Sequence, residues 1–451
     1  MRPQPVTIVG AGLAGSLLAI MLARRGFSVT LIERRGDPRD PRAAAAAAAA
    51  GRSINLALAA RGIAALEHAA LMPEVRPLML AMRGRMVHEP GRTPVLLPYG
   101  QRADEVIHSV SRAALNRVLV SAAAATQRVR LRFETACEHV DPAAATLSLR
   151  HGGAALTESS GAAAVLATDG AGSAVRASLA AHFGLRVSEE ALDHDYKELT
   201  LPPNGGAFAL APDALHVWPR RGFMLIALPN TDRSFTATLF LPREGAVSFA
   251  SLTDDAAVQA FFAREFADAV PLIPHLLREF REHPQGRLGT VRTHPWHAGA
   301  RVLLLGDAAH AIVPFHGQGM NAAFEDCLAL ERLLDAHESW ATLFEAFEAQ
   351  RRPNADAIAQ MALQNYTEMR SDVLDPRFLQ RQRLSAQLHR AFPDRFIPRY
   401  GMVMFHPEIP YAEALRRGQV QQQILDELEA AGETAEAPDL ERARRLIEAR
   451  L

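Results

Sequence analysis

Residues 6–15 read VTIVGAGLAG, an apolar run followed by the three glycines Gly10, Gly12 and Gly15. The run predicts a short buried strand, and the apolar spacing over residues 13–25 predicts a helix directly after the glycines. A second apolar run at residues 29–32 ends at Glu33. Strand, glycine turn, helix and strand together predict a βαβ unit with two parallel strands.

The spacing of these glycines suits a bound pyrophosphate. Gly10 permits a tight turn, Gly12 lets the backbone approach the phosphates, and Gly15 allows the helix to pack closely on the strand. The N-terminus of the helix offers unpaired N–H groups to phosphate oxygens. Glu33 ends the second strand, where a carboxylate accepts hydrogen bonds from ribose hydroxyls. The pattern predicts a dinucleotide and leaves FAD and NAD(P) both open.

Two later segments favour FAD. Residues 302–307 read VLLLGD, which predicts a buried strand that delivers Asp307 at its carboxyl end, where it can bind the ribityl chain of a flavin. Residues 314–321 read PFHGQGMN, a glycine loop that leads into a helix. The N-terminus of such a helix stabilises negative charge on a reduced flavin. A further segment, DGAGSAVR at residues 169–176, again follows a buried strand.

Composition narrows the class of protein. Of 451 residues, 49% are hydrophobic and 22% are charged, which is typical of a globular protein with a large core. A net charge of -1 gives no electrostatic case for nucleic acid or an anionic membrane. No apolar run approaches the roughly 20 residues that span a bilayer. The two cysteines and 17 histidines show no metal-ligand spacing. We therefore expect a cytoplasmic protein with no metal, nucleic-acid partner or membrane anchor.

The order of predicted elements indicates an α/β fold. We expect a Rossmann-like FAD-binding domain with an inserted antiparallel β-sheet substrate domain and a C-terminal helical region. Helices are predicted at residues 55–85, 111–125, 256–266 and mostly from 321 onward, and antiparallel strands at 214–218, 223–228 and 234–241. The alanine tract at residues 43–50 lies between Pro41 and Gly51, which predicts a mobile loop.

The expected domain boundaries follow from this order. The FAD-binding domain occupies residues 1–185, with some substrate contacts, and continues over residues 291–345. The antiparallel-sheet substrate domain occupies residues 186–290. Residues 346–451 form the helical region that closes the substrate site.

The three glycine-containing segments, in this order, resemble the FAD-dependent aromatic hydroxylase family of the p-hydroxybenzoate hydroxylase type. The resemblance narrows to the kynurenine 3-monooxygenase family and covers about residues 5–415. It rests on residues 315–321 and on the following further segments: GRSINLAL at 51–58, MRGRM at 82–86, PYG at 98–100, DYKELT at 195–200, HVWPR at 216–220, NYTEMR at 365–370 and YGMV at 400–403.

The resemblance implies two sets of site residues. Those implied for FAD are Gly10, Gly12, Leu13, Ala14, Gly15, Glu33, Arg34, Arg52, Ala57, Arg112, Cys137, Asp169, Gly306, Asp307, Gly317, Gly319, Met320 and Asn321. Those implied for the substrate are Arg85 and Tyr99 at its carboxylate, Asn365 and Tyr400 completing its amino-acid end, and Ile226, Phe240, Phe315 and His316 around its ring; Glu368 is implied as a further substrate-binding residue. An α-carboxylate calls for a bidentate arginine, and tyrosine hydroxyls add neutral donors. Many relatives have a phenylalanine where this chain has His316.

The activity implied by the resemblance is hydroxylation of L-kynurenine to 3-hydroxy-L-kynurenine with NADPH and O2. A hydroperoxide of the flavin is implied to transfer the oxygen atom, so no catalytic side chain is expected. Such an enzyme serves tryptophan catabolism or quinolinate and NAD biosynthesis. Three alternatives stay open: a hydroxylase of another aromatic acid, a flavin oxidoreductase without oxygen insertion, and a non-catalytic FAD-binding regulatory protein. NADPH and NADH are not distinguished by the residues, and a homodimer is compatible with them.

Overall fold

The computed structural model describes residues 1–49, 55–144, 146–159, 161–371 and 375–451. The helices of the described residues are α1 (Leu13–Arg24), α2 (Pro41–Ala49), α3 (Ala60–His68), α4 (Met72–Val75), α5 (Arg112–Ala125), α6 (Ala174–His182), α7 (Asp255–Glu265), α8 (Leu276–Glu282), α9 (Asp307–His310), α10 (Gly319–Ala336), α11 (Trp340–Arg370), α12 (Pro376–Ala391), α13 (Arg399–Phe405), α14 (Tyr411–Ala430) and α15 (Leu440–Arg450).

The strands of the same residues are β1 (Pro5–Val9), β2 (Ser28–Ile32), β3 (Asn55–Leu58), β4 (Met79–Met82), β5 (Gly84–Val87), β6 (Val95–Pro98), β7 (Ile107–Ser111), β8 (Val129–Arg132), β9 (Thr135–Asp141), β10 (Thr146–His151), β11 (Ala154–Ser159), β12 (Ala164–Ala167), β13 (Arg186–Leu201), β14 (Leu215–Pro219), β15 (Met224–Pro229), β16 (Phe235–Pro242), β17 (Gly286–His294), β18 (His297–Ala298) and β19 (Val302–Leu304).

The chain divides into two compact units. Unit 1 comprises residues 1–79, 109–192 and 287–356, and unit 2 comprises residues 80–108, 193–286 and 357–451. Each unit therefore draws on three separate stretches of chain. The domain boundaries expected from the sequence stay a prediction.

Unit 1 is built on a six-stranded sheet in the order β18-β19-β12-β1-β2-β8. Its strands are parallel except at the β18 edge. β1 is central, and Val6 pairs with Ala164 of β12 on one side and Val29 of β2 on the other. A central strand covered on both faces favours a nearly continuous apolar run, which Val6–Val9 supplies apart from the buried Thr7. The predicted βαβ unit is confirmed.

Helix α1 connects β1 to β2 and is buried from Gly15 to Ala23. It packs on α5 and α10, so that its apolar residues are covered on several sides. The helix ends where Gly26 takes a φ of +89° and donates its N–H to the carbonyl oxygen of Ala23. Glycine is favoured there because an L side chain is strained at positive φ. This turn sends the chain directly into β2.

Unit 2 contains a mixed sheet in which β13, β16, β15, β14, β5 and β6 are neighbours in that order. β14, β15 and β16 pair antiparallel, as predicted. β5 joins β14 in parallel, and the long strand β13 pairs with β16 antiparallel; neither was predicted. One face of the sheet packs its alternate residues, such as Leu225 and Leu239, against the phenylalanines of α7 and α8.

The C-terminal part of unit 2 is helical, as predicted. Helices α12, α14 and α15 share an apolar cluster that includes Leu388, Ile424, Leu428 and Ile447. All four side chains are fully buried. Burial of these stripes stabilises the three helices.

Two local predictions were wrong. The alanine tract forms helix α2 up to Ala49, because alanine is the strongest helix former and Pro41 suits the first turn. Residues 55–85 contain the short helices α3 and α4 but also strands β3, β4 and the first residues of β5. Short apolar runs do not distinguish a buried strand from a buried helix.

Candidate functional site

The glycine loop between β1 and α1 has two tightly packed positions and one open one. Gly10 has a φ of +102°, and a Cβ there would lie 2.6 Å from the carbonyl oxygen of Thr168. A Cβ at Gly15 would lie 1.9 Å from the carbonyl oxygen of Gly10. A Cβ at Gly12 would meet no described atom within 4 Å. The open space lies beside Gly12, where a pyrophosphate is expected.

The first turn of α1 leaves its amides available. In the described structure no side chain caps this helix, and its first turn, which begins with Leu13 and Ala14, carries no acidic residue. Unpaired N–H groups and the positive end of the helix dipole favour a phosphate at this point. The residues of the loop therefore fit the diphosphate of a dinucleotide.

Glu33 connects the end of β2 to the glycine loop. Its buried carboxylate accepts hydrogen bonds from the N–H of Ala11 at 3.0 Å and from the N–H and Nε of Arg35 at 2.9 and 2.8 Å. The carboxylate thus lies beside the glycine loop, as a ribose ligand requires. Arg34 is exposed.

Asp307 and the start of α10 lie side by side. Gly306 has a φ of +55°, and a Cβ there would lie 3.0 Å from the Cβ of Ala323, so glycine is required before Asp307. Asp307 is half-buried and begins helix α9. A Cβ at Gly319 would lie 4.0 Å from Oδ1 of Asp307. The two segments that favoured FAD in the sequence therefore meet in unit 1.

Asn321 shapes the loop that precedes α10. Its buried side chain donates to the carbonyl oxygens of Ala57 at 2.8 Å and Gly317 at 2.9 Å, and accepts from the N–H of Ala59 at 2.9 Å. Gly317 takes a φ of +64°, which favours glycine. Met320 is half-buried in the first turn. Asn321 thus holds residues 57–59 against the loop.

The other residues implied for FAD lie in different surroundings. Asp169 accepts from Ser173 Oγ at 2.6 Å and from the N–H of Val175 at 3.2 Å, and burial raises the pKa of its carboxyl. Burial, with a smaller effect of Asp169, raises the pKa of the Cys137 thiol to about 12. Arg112 is exposed at the start of α5, and Arg52 lies outside the described residues.

Five residues predicted to bind the substrate come together in unit 2. Arg85 lies on β5 and Tyr99 directly follows β6, while α11 carries Asn365 and Glu368 and α13 carries Tyr400. Nη1 of Arg85 lies 3.2 Å from Glu368 Oε1, and its Nη2 lies 3.3 Å from Asn365 Oδ1. The rings of Tyr99 and Tyr400 stack at 5.3 Å, and the guanidinium lies 5.8 and 5.1 Å from their centroids.

Two polar atoms of this cluster are buried without a hydrogen-bond partner among the described residues. They are Nε of Arg85 and the hydroxyl oxygen of Tyr99. A buried polar atom that makes no hydrogen bond is costly, and such atoms in native proteins commonly mark a ligand site. The Nε–H of Arg85 can only donate and the Tyr99 hydroxyl can donate as well, so one acceptor group would satisfy both.

The pKa shifts keep the Arg85 guanidinium charged and the two phenols protonated. Burial alone would lower the pKa of Arg85, but Tyr400, Glu368 and Tyr99 together outweigh it and raise that pKa above its ordinary value. Burial raises the pKa of Tyr99 to about 12, against the opposing effect of Arg85. Burial likewise raises the pKa of Tyr400 well above its ordinary value. At neutral pH the cluster offers one charged donor and two protonated phenols.

Apolar side chains share a sheet face with Arg85. Arg85 pairs with Leu215 on β14, and Ile226 of β15 pairs with Val217, two residues further along β14. Residues two apart on a strand point to the same face. The pairing of β15 with β16 brings Phe240 to that face as well. The cation and two predicted ring-contacting residues thus lie on the face opposite the apolar core of the sheet.

The sequence matches known proteins over its whole length. The model of the FAD binding domain family matches residues 4–362. A kynurenine 3-monooxygenase from Myxococcus xanthus (strain DK1622) is 47% identical over 451 residues, which is 100% of this chain and 96% of that protein. One from Stenotrophomonas maltophilia (strain K279a) is 48% identical over 94% of this chain and 91% of that protein.

This chain belongs to the kynurenine 3-monooxygenase family.

Members of this family are FAD-dependent monooxygenases, so the predicted enzyme class and cofactor are confirmed. The predicted fold class is confirmed as well. A solved structure of 2-methyl-3-hydroxypyridine-5-carboxylic acid oxygenase superposes with a TM-score of 0.67 at 19% identity, over 84% of this chain and 96% of that one. Within the described ranges, no helix has the length and apolarity that crossing a membrane requires. The same residues contain no cluster of metal-ligating side chains.

The residues predicted to bind the substrate are divided between the two units. Phe315 and His316 are buried in a 3-10 turn (Pro314–His316) of unit 1, directly before the Gly317 loop. Ile226, Phe240 and Arg85 belong to unit 2. The individual site assignments stay predictions.

Sequence reasoning missed a buried charge network in unit 1. Asp326 of α10 accepts from His310 Nε2 at 2.6 Å and from Arg351 Nε at 2.7 Å. Arg351 also binds Glu325, which pairs with the buried Arg61. The signal was present, because two acids interrupt the apolar stripe of α10, but their cationic partners are distant in sequence.

Proposed function

We propose that this enzyme hydroxylates L-kynurenine to 3-hydroxy-L-kynurenine with NADPH and dioxygen. Curated relatives at 47% and 48% identity carry the name kynurenine 3-monooxygenase. The observation that carries the proposal is the pair of unsatisfied buried donors, Arg85 Nε and Tyr99 hydroxyl, in a cluster suited to an α-amino acid. The two buried, unpaired cysteines further support a reducing, cytoplasmic setting.

The carboxylate of the substrate is assigned to Arg85 and Tyr99. A carboxylate beside Nε of Arg85 accepts a charge-assisted hydrogen bond, and the protonated Tyr99 donates a second. The raised pKa of Arg85 keeps it charged at every pH of interest. Tyr400, stacked on Tyr99, orients that ring.

The ammonium group is assigned to Glu368 and Asn365. Glu368 is the acid nearest the guanidinium, and its side chain is 22% exposed, so it retains acceptor capacity. Asn365 is buried and adds an amide oxygen. Arg85 on β5 and Glu368 on α11 match the two charges of a zwitterion, whereas a simple aromatic acid has no ammonium group to offer Glu368. The cluster thus favours an amino acid over another aromatic acid.

The aromatic ring is assigned to the sheet face that carries Ile226 and Phe240. Phe240 is buried and Ile226 is half-buried, so the face offers an apolar surface that excludes water. Phe315 and His316 are assigned to the ring on the resemblance alone. When bound, FAD would supply the redox chemistry, in which NADPH provides two electrons, one oxygen atom of dioxygen goes to the ring and the other leaves as water. Gly12, Glu33, Asp307 and the first turn of α10 are assigned to hold FAD.

Product analysis tests this proposal. Purified FAD-loaded enzyme is incubated with NADPH, oxygen and L-kynurenine, and the products are separated by liquid chromatography and mass spectrometry. We expect NADPH oxidation that depends on substrate and yields 3-hydroxykynurenine. 2-Aminoacetophenone has the same aminophenyl ketone without the amino-acid end, and we expect it to be a very poor substrate.

Three outcomes would contradict the assignment. Rapid hydroxylation of 2-aminoacetophenone would show that the Arg85 cluster does not select the substrate. NADPH oxidation with L-kynurenine that yields only hydrogen peroxide would indicate a flavin oxidoreductase without oxygen insertion. Absence of any substrate-dependent NADPH oxidation would favour a non-catalytic FAD-binding protein. Parallel reactions with NADH decide which nicotinamide is used.

A further inference from the structure

The one-turn helix α9 is held at both ends by a single carboxylate. Oδ2 of Asp326 accepts the N–H of Gly306 at 3.0 Å, directly before Asp307. The same oxygen accepts from Nε2 of His310 at 2.6 Å, at the other end of the turn. Asp307 lies between these two anchors, and its own carboxylate lies next to Gly319.

Asp326 is itself held in place. Its side chain is fully buried, and its second oxygen accepts from Nε of Arg351 at 2.7 Å. Arg351 reaches Glu325 as well, so one cation orients two adjacent acids of α10. The ring of His310 stacks on Trp296 at 4.8 Å. Both oxygens of the Asp326 carboxylate are therefore held by hydrogen bonds.

We propose that Asp326 is a positioning residue of the flavin site, which sets the place of the Asp307 carboxylate by fixing the backbone on both sides of it. This inference rests on the assignment of Asp307 to FAD. Asp326 needs no contact with the cofactor, because it acts through the Gly306 peptide and His310. A flexible α9 turn would leave Asp307 mobile and weaken its bond to the ribityl chain.

A double-mutant cycle tests this coupling. FAD is removed from wild-type, Asp326→Asn, Asp307→Asn and doubly substituted protein, and each apoprotein is titrated with FAD by flavin fluorescence. We expect each single substitution to raise the Kd for FAD about tenfold, the effect of losing one hydrogen bond to a charged group. If Asp326 acts through Asp307, the double variant binds FAD about as well as Asp307→Asn alone.

Glu331→Gln is the matched control. Glu331 is a buried acid on the same helix α10, and its ion-pair partners are His68 and Arg25 rather than residues of the α9 turn. We expect Glu331→Gln to lower the melting temperature of the apoprotein and to leave the Kd for FAD unchanged. His310→Phe keeps a ring against Trp296 and removes one anchor, and serves if Asp326→Asn does not fold.

The outcomes separate this inference from the proposed function. If the Kd of the double variant rises by the product of the two single increases, Asp326 and Asp307 act independently and the inference is wrong. It is also wrong if Glu331→Gln loses as much affinity for FAD as Asp326→Asn. An unchanged Kd in Asp307→Asn overturns the assignment of Asp307, and with it this inference, even where 3-hydroxykynurenine is still formed. If the double-mutant cycle gives the expected Kd values but the wild-type enzyme forms no 3-hydroxykynurenine, only the proposed function is overturned.

Discussion

Replacing Tyr99 with phenylalanine should stabilise the substrate-free enzyme and impair its activity. The Tyr99 hydroxyl is buried without a hydrogen-bond partner among the described residues, while its ring stacks on Tyr400 at 5.3 Å. Phenylalanine retains the ring and removes only the unsatisfied group. A substrate carboxylate would lose a donor that it needs. The two effects therefore have opposite signs.

The magnitudes follow from the burial of this oxygen. A buried polar group without a partner costs about 1–3 kcal/mol, so the free energy of unfolding should rise by about 1 kcal/mol or more. A hydrogen bond from the hydroxyl to a charged carboxylate contributes about 1.5–3 kcal/mol, which corresponds to a KM about 10- to 100-fold higher. The pKa of Tyr99, about 12, means that the hydroxyl is a donor throughout the working range of pH.

Denaturant unfolding of the substrate-free holoenzyme and steady-state kinetics with L-kynurenine measure the two effects. Tyr411→Phe is the matched control, because Tyr411 is fully buried at the start of α14 and has no assigned role in substrate binding. We expect its KM to match that of the wild type. If Tyr99→Phe lowers stability and leaves the KM unchanged, the hydroxyl is structural and the assigned carboxylate site is wrong.

Three further predictions use the same logic of paired variants. Arg85→Met should raise the KM for L-kynurenine by about 100-fold or more, while the visible spectrum of bound FAD stays unchanged. Arg83→Met is the control and should behave as the wild type, because Arg83 is exposed and pairs with an acid outside the cluster. Gly12→Ala should leave the melting temperature of the apoprotein unchanged and weaken FAD binding, because a methyl group would occupy only the open space, whereas Gly15→Ala should destabilise the apoprotein by colliding with backbone. Burial would raise the pKa of the Asp326 carboxyl, but His310 and Arg351 lower it to about 2. The ionised carboxylate therefore stabilises the fold by roughly 2 kcal/mol above about pH 4, and this stabilisation is lost as the pH falls towards 2. Between pH 2 and 6 the free energy of unfolding should depend less on pH in Asp326→Asn than in the wild type, and an identical dependence would contradict this reasoning.

Most of the fold was predictable where local pattern and tertiary structure agree. The run Val6–Val9 and the glycine spacing placed a parallel βαβ unit correctly, because a strand buried on both faces is apolar at nearly every position. Strands β14, β15 and β16 were found because turn residues separate them. β13 was missed because its polar N-terminal half, with acids at Glu189 and Glu190, lacks an apolar pattern.

The candidate sites divide in the same way. The glycines and acids of the flavin segments carry their chemistry within short motifs, so sequence alone could predict them. The buried donors, Nε of Arg85 and the Tyr99 hydroxyl, could not be predicted from the sequence, because only the folded chain excludes water from them. In its local sequence, Arg85 does not differ from an arginine on the protein surface.

The amino-acid sequence by itself determined that this protein has a Rossmann-like flavin domain, since the glycine turn with its strands and helix, and the segments at 302–307 and 314–321, each lie within a short stretch of chain. Only the tertiary structure decided that Asp326 anchors the turn that carries Asp307 and that Arg85 retains an unused donor. Local backbone geometry is encoded by neighbouring residues, whereas burial and charge pairing depend on residues that folding brings together from distant parts of the chain.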